Sequence, residues 1–232
     1  MKLVTHCLED KEEAKMLLMK EYLTYQIYEE LTEHSYRTQL VRITYKDIKT
    51  GKKSKNWGFL IEDTAQLANR IQAEKCDCWG NSPKEFHHGT AELVSLFQYM
   101  IGNEDFKVEA LKNVKTFRKD GQLIPVPYDF DFSGLVDASY AIPNNDYQMK
   151  YVTDRIYLGS AESLLELHST QTFFQAKEHR IKGIINDFRK LDTNSKLIMT
   201  TYLDSFFQNV EALNLPKHLI EVMGSGKGRV AK

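Results

Sequence analysis

The stretch GNEDFKVEALKNVKTFRKDGQLIPVPYDFDFSG, residues 102–134, decides how this 232-residue chain is read. It opens on Gly102, a glycine that ends a helical pattern, and a polar loop with Asn103, Glu104, Asp105 and Asn113 follows. Val114–Phe117 and Leu123–Pro127 then read as two short strands joined by RKDG, whose Asp-Gly pair is a hairpin signal. A second acidic cluster, Asp129 and Asp131, closes the stretch. Two positions apart in an extended segment, these carboxylates point to one face.

That order of groups has a chemical use. Phosphoryl transfer is catalysed by positioning and by neutralising charge. It needs a carboxylate near the attacking hydroxyl, and oxygen ligands for Mg²⁺ that complement the substrate phosphates. Protein kinases supply a loop Asp and Asn, a hairpin, and then an Asp before Phe. Here Asp105 and Asn113 sit in the loop, and Asp129 precedes Phe130. Asp and Asn are also ordinary loop residues, through turn and capping chemistry, so the pattern alone leaves both readings open.

Upstream, Lys2 begins a short strand within residues 1–8, and residues 12–32 read as a helix. In the latter, Ala14, Leu17, Leu18, Tyr22, Tyr25, Tyr28 and Leu31 form one apolar stripe. Glu21 lies on or beside it. A carboxylate on a buried face is costly unless paired, so a place at the stripe's exposed edge competes with a paired place inside. Gln39–Ile48 alternates, a basic turn follows, and Asn56–Glu62 returns as the second strand of a hairpin. Helices are expected over Thr64–Lys75 and Thr90–Ile101, and downstream at 160–170, 171–190 and 195–213.

Composition narrows the classes. Hydrophobic residues make up 42% and charged residues 27%, with 12 Phe and 12 Tyr to fill a core, so the chain is globular rather than disordered. A net charge of −1 argues against a global pull toward nucleic acid. No apolar run is long enough to span a membrane. The N-terminus lacks the apolar run of a signal peptide, which makes the cytoplasm the default expectation. Three cysteines cannot form a disulfide framework; Cys76 and Cys78, with His87 and His88 nearby, fit no standard zinc spacing and read as loop residues. The tail GSGKG lacks the spacing and context of a phosphate loop and reads as a disordered end.

Taken in order, EYLTYQIYEEL (21–31), RTQLVRITYKD (37–47), WGFLIED (57–63), IGNED (101–105) and PYDFDFSG (127–134) resemble the CotH family of spore-coat kinases. The likeness covers about residues 1–135. It implies a two-lobed α+β protein of protein-kinase-like fold. Residues 1–62 would be part of a small antiparallel sheet-plus-helix lobe, and 63–232 a mainly helical lobe carrying the catalytic-type loop within 102–134. It implies ATP and Mg²⁺ as cofactors and an unknown protein or small-molecule acceptor. Asp105 would be the catalytic-loop acid. Asn113, Asp129 and Asp131 would be metal ligands. Lys2 and Glu21 would be the phosphate-facing lysine and the glutamate that holds it, and Glu62 would stand at the hinge where adenine binds, although an exposed strand-end acid is an equal reading. The separation of eight between Asp105 and Asn113 exceeds that of ordinary protein kinases, so the loop must be reshaped. No glycine-rich lid precedes Lys2, which points to a partial first lobe and keeps a non-catalytic pseudokinase or interaction domain as the alternative. A metal-dependent hydrolase is disfavoured, because no histidine lies between residues 89 and 167 to join the carboxylates. Relatives in that family also work outside the cytoplasm, which leaves localisation open.

Overall fold

The computed structural model describes residues 1–5, 8, 10–78, 80–81, 85–87, 89–108, 110–159 and 164–210, with side chains in the last segment from 167 onward. Cys7, His88 and the GSGKG tail lie outside the described residues. Among the described residues the architecture is α+β, with two small antiparallel sheets and five α-helices.

The first sheet has the order β1-β3-β2, from β1 (Lys2–Thr5), β2 (Thr38–Lys46) and β3 (Lys53–Ile61). β2 and β3 form the expected hairpin, in register from Thr38 opposite Ile61 to Lys46 opposite Lys53. The Asp47 carboxylate closes its tip by accepting from the Lys49 and Thr50 N–H groups, both at 2.8 Å. β1 pairs with the other edge of β3, placing Lys2 opposite Ile61 and Val4 opposite Phe59.

Helix α1 (Lys11–Leu31) starts at Asp10, whose side chain accepts from the Glu12 and Glu13 N–H groups. Its stripe is wider than the sequence pattern suggests. Met19, Leu23 and Ile27 are as deeply buried as Leu18 and Tyr28, so α1 is surrounded rather than laid on a surface. Tyr22 and Tyr25 meet Phe59 of β3, while Tyr28 meets Phe97 of α3 (Thr90–Ile101) with centroids 4.6 Å apart.

Helix α2 (Thr64–Arg70) is shorter than expected. Asp63 caps it with a capping box. It stops because Gln72 takes a left-handed φ of 55°, and Glu74–Cys76 forms strand β4 on the edge of the second sheet. That sheet has the order β4-β5-β6, with β5 (Val114–Lys119) and β6 (Gln122–Pro127) joined at Asp120 and Gly121. Both turn residues have positive φ, 50° and 81°, as a two-residue hairpin turn of type I′ requires. The expected helices at 160–170 and 171–190 are one element in the described part, α4 (Leu164–Asn186), and α5 spans Thr193–Phe207. Nothing at Thr170–Gln171 breaks a helix, and both side chains are buried.

Among the described residues, no helix is long and apolar enough to cross a membrane. One hydrophobic core runs from α1 and β3 through α3 and β6 to α4 and α5.

Candidate functional site

The site is assembled where the Asp129–Asp131 turn meets helix α1. Phe130 is fully buried, its ring 4.6 Å from Tyr25 and 5.4 Å from Phe97 between centroids. This aromatic anchor ties the turn to α1 and α3 together. Asp129 takes a left-handed φ of 68°, a conformation that a non-glycine residue keeps only when its surroundings impose it. The surroundings are visible. The Asp129 N–H donates to the Tyr25 hydroxyl at 2.8 Å, and the Phe130 amide faces the Glu21 carboxyl closely enough to favour its charged form. Tyr25 and Glu21 are four apart on one helix face, so a single turn of α1 meets two successive amides. Further along, the buried Lys20 ammonium donates to the Val136 carbonyl at 2.9 Å. Leu17 packs with Val136 and Ala138.

Glu21 is only 6% exposed, not at the edge of the stripe. Burial pushes its carboxyl up to about 8, the nearby Asp131 and Asp129 charges push the same way, and Lys2 and the Phe130 amide oppose them. Asp131 is half-buried and its carboxyl is raised by burial, against a 2.9 Å hydrogen bond from the Tyr140 hydroxyl and with the Asp129 charge adding to the rise. Lys2, Glu21, Asp129, Asp131 and Tyr140 line one open cleft of about 290 Å³, floored by apolar residues that include Val4, Leu17 and Leu18.

The loop after α3 is organised by Asn103, which is 1% exposed. Its Nδ2 donates to Gln98 Oε1 at 3.0 Å, and its Oδ1 accepts the Asp105 N–H at 3.0 Å. Lys107 and Lys112 then exchange two backbone hydrogen bonds of 3.0 Å. This small bridge takes up the extra length between Asp105 and Asn113 and returns the chain to its starting point. Asn113 Nδ2 accordingly donates to both the Asp105 carbonyl (2.7 Å) and the Asp105 Oδ2 (2.8 Å). The Lys112 ammonium pairs with Asp105 Oδ1. An amide that spends its nitrogen on Asp105 has its oxygen left for a ligand.

Sheet register brings this loop to the acidic turn. The Tyr128 N–H donates to the Asn113 carbonyl at 3.0 Å, extending the β5–β6 ladder by one step, so Asp129 is the next residue along. On the other side, the Gly134 N–H bonds the Gly102 carbonyl at 2.9 Å, and Leu135 bonds Ile101 at the same distance. The two ends of the 102–134 stretch are therefore stitched together. Asp105 and Asn113 flank the Asp129 turn without lining the cleft that holds Lys2 and Glu21.

Glu62 is placed elsewhere. Its carboxylate accepts from Arg70 Nε at 3.0 Å and Nη2 at 2.8 Å, and from the Arg37 N–H at 3.2 Å. Burial raises its carboxyl, but these bonds outweigh that and hold it below the usual range. Arg70 also reaches the Glu33 and Ser35 carbonyls, so Glu62 pins the strand end to the segment after α1. The Cys76 and Cys78 side chains lie against each other, with Arg118 Nη2 3.3 Å from Cys78 Sγ.

Tyr25, Asn103 and Tyr140 are site-shaping residues that sequence reasoning passes over as stripe or loop. Only Tyr25 left a signal, in its four-residue spacing from Glu21. No three or more His, Cys, Asp or Glu side chains cluster as a metal site by themselves among the described residues. No protein-family model matches the chain, and no curated protein matches its sequence.

Proposed function

We propose that the chain is an ATP- and Mg²⁺-dependent phosphotransferase of protein-kinase-like, CotH-like type. The observation that carries this reading is the convergence of Lys2, Glu21, Asp129 and Asp131 on one cleft, with Asn113 and Asp105 hydrogen-bonded beside the same turn. A strand lysine, a helix carboxylate, a turn carboxylate and a loop Asp–Asn pair are the parts that phosphoryl transfer uses. They come here from four separate stretches of sequence.

In this reading Asp129 and Asp131, with the Asn113 side-chain oxygen, hold the cation. A Mg²⁺ held by these residues would supply positive charge against the phosphates. Lys2 faces the phosphates from β1. Glu21, next to Lys2 and the two aspartates, is largely protonated around neutral pH, so it adds little negative charge to the cleft while packing against the turn beside the Phe130 amide. Asp105 orients the acceptor hydroxyl, and Lys112 beside it balances the negative charge that gathers there. The acceptor hydroxyl attacks the terminal phosphorus, the bond to the nucleotide's bridging oxygen breaks, and the hydroxyl proton leaves toward Asp105.

The test is nucleotide-dependent phosphorylation by the wild type and two variants. Asp129→Ala abolishes transfer, because no other group replaces the cation's ligand. Asp105→Ala slows turnover and leaves nucleotide binding nearly intact, since its role arises in the transition state. Equal loss of binding in both variants would make Asp105 a structural loop residue.

One observation favours a second reading, a nucleotide-binding domain without catalysis. Both Asp105 carboxylate oxygens already have partners, Lys112 and Asn113. In that reading the wild type binds Mg²⁺-ATP, and turnover is absent with any acceptor.

A further inference from the structure

A second cleft, of about 200 Å³, lies between the start of α1 and the α1-facing side of the β2–β3 hairpin, toward its tip past Phe59, lined by Lys11, Glu12, Lys15, Arg42, Lys55 and Trp57 together with Asn56. We infer that it is a binding site for a phosphorylated side chain presented by a segment of another protein. The inference does not depend on nucleotide binding in the first cleft.

The hairpin register builds half of the site. Arg42 stands opposite Trp57, and Thr44 opposite Lys55, so Arg42 and Lys55 fall on the same face of the sheet beside the indole. The Arg42 guanidinium carbon is 5.3 Å from the Trp57 ring centroid, and Lys190, from beyond α4, places its ammonium 4.6 Å from the same ring. Lys11 and Lys15 complete the rim from the first turns of α1. Against these cations stands one lining carboxylate, Glu12, already bonded to Lys15 at 3.2 Å. Lys11, Arg42, Lys55 and Lys190 form no ion pair among the described residues, in a chain whose net charge is only −1. Unpaired cations converging on one concavity repel one another, and an anion relieves that cost.

The chemistry of the anion follows from the lining. A planar guanidinium and two or more ammonium groups match the several acceptor oxygens of a phosphate monoester better than the two of a carboxylate. The Trp57 ring and the Asn56 amide offer a flat apolar wall and a polar contact for the residues flanking a phosphorylated position. The cleft has room for one or two side chains, short of a nucleotide or a lipid. The adjoining cleft sets Lys15 and Lys190 among the acids Asp10, Glu12, Glu13 and Asp192, so the excess of positive charge lies on the hairpin side, where Glu12 is the one lining acid.

The experiment is fluorescence anisotropy of a short labelled peptide with one phosphoserine between two phenylalanines, at low salt. Saturable binding is expected, weakening as ionic strength rises. The paired variant Arg42→Gln, Lys55→Gln should weaken it by about tenfold or more, the scale of losing two charged contacts. Both side chains are at the surface, so this variant keeps the wild-type melting temperature. The unphosphorylated peptide should bind at least about tenfold more weakly. Absence of binding, equal binding of the unphosphorylated peptide, or unchanged affinity in the paired variant would overturn the inference. So would displacement by inorganic phosphate at the peptide's own Kd, which would mark a simple anion site with no part for the protein segment.

Discussion

The Tyr25 hydroxyl accepts the backbone N–H of Asp129 at 2.8 Å, although 104 residues separate them in the chain. Burial and the Glu21 charge hold the Tyr25 phenol well above its usual range. Through this bond and the Glu21–Phe130 contact, α1 fixes the acidic turn in its left-handed conformation.

Tyr25→Phe removes the acceptor and leaves a part-buried amide without it. The expected loss is about 1–3 kcal/mol of stability, the cost of desolvating an unsatisfied group. Urea denaturation measures it. A loss well under 1 kcal/mol would mean that the turn is held without Tyr25.

Glu21 makes stability depend on pH. Its folded-state carboxyl is pushed up to about 8 from an ordinary 4.5, so between those values the folded protein keeps a proton that the unfolded chain releases. Stability is therefore greatest below the lower value and falls as pH rises, with a slope approaching about 1.4 kcal/mol per pH unit. Glu21→Gln should flatten the slope and raise the melting temperature of the unliganded protein near pH 8. A Glu21→Gln profile parallel to the wild type would show that other groups govern the dependence.

Gly134 is fixed by a close approach. A Cβ there would lie 2.9 Å from Thr153 Cα and 2.9 Å from the Val152 carbonyl oxygen, both backbone atoms that cannot rotate away. Gly134→Ala should cost about 1–3 kcal/mol, as overpacking does, and loosen the Gly134–Gly102 stitch. Thermal unfolding and hydrogen exchange at Leu135 report both effects. Wild-type stability would show that the 152–153 segment yields easily.

Glu62 separates two roles cleanly. Its side chain is 11% exposed and bonded to Arg70, so Glu62→Gln should cost about 2–4 kcal/mol, somewhat below the penalty for breaking a fully buried pair. Because the carboxylate is spent on Arg70 and Arg37, nucleotide affinity should change less than about threefold, within the scatter of distant substitutions. A large loss of affinity with little loss of stability would return Glu62 to the adenine site.

The parts of the fold with strong local signals were legible from the residues. Asp120-Gly121 announced its hairpin, Gly102 ended α3, and the alternation of Gln39–Ile48 marked β2. Three features were not, each because a distant partner decides it. Strand β4 forms because the edge of β5 is available to Glu74–Cys76, whose local pattern reads as the end of a helix and a loop. Glu21 is buried because the Phe130 amide and the aspartates surround it, whereas periodicity sees only its neighbours on α1. The Lys107–Lys112 bridge depends on Asn113 returning to Asp105, a closure that no spacing rule encodes. Within the candidate site, residue types and order could be read from the sequence. Which carboxylates share a cleft could not, and Glu62 shows the difference.

Isothermal titration of the wild type and Asp129→Ala with ATP at saturating Mg²⁺ decides whether the acidic turn holds a nucleotide. Saturable binding by the wild type is expected, with a Kd of about 1 mM or below, in the range where enzymes meet their substrates, and no measurable heat for Asp129→Ala. A wild-type protein that binds no nucleotide at millimolar Mg²⁺-ATP, or a variant that binds as the wild type does, would contradict it.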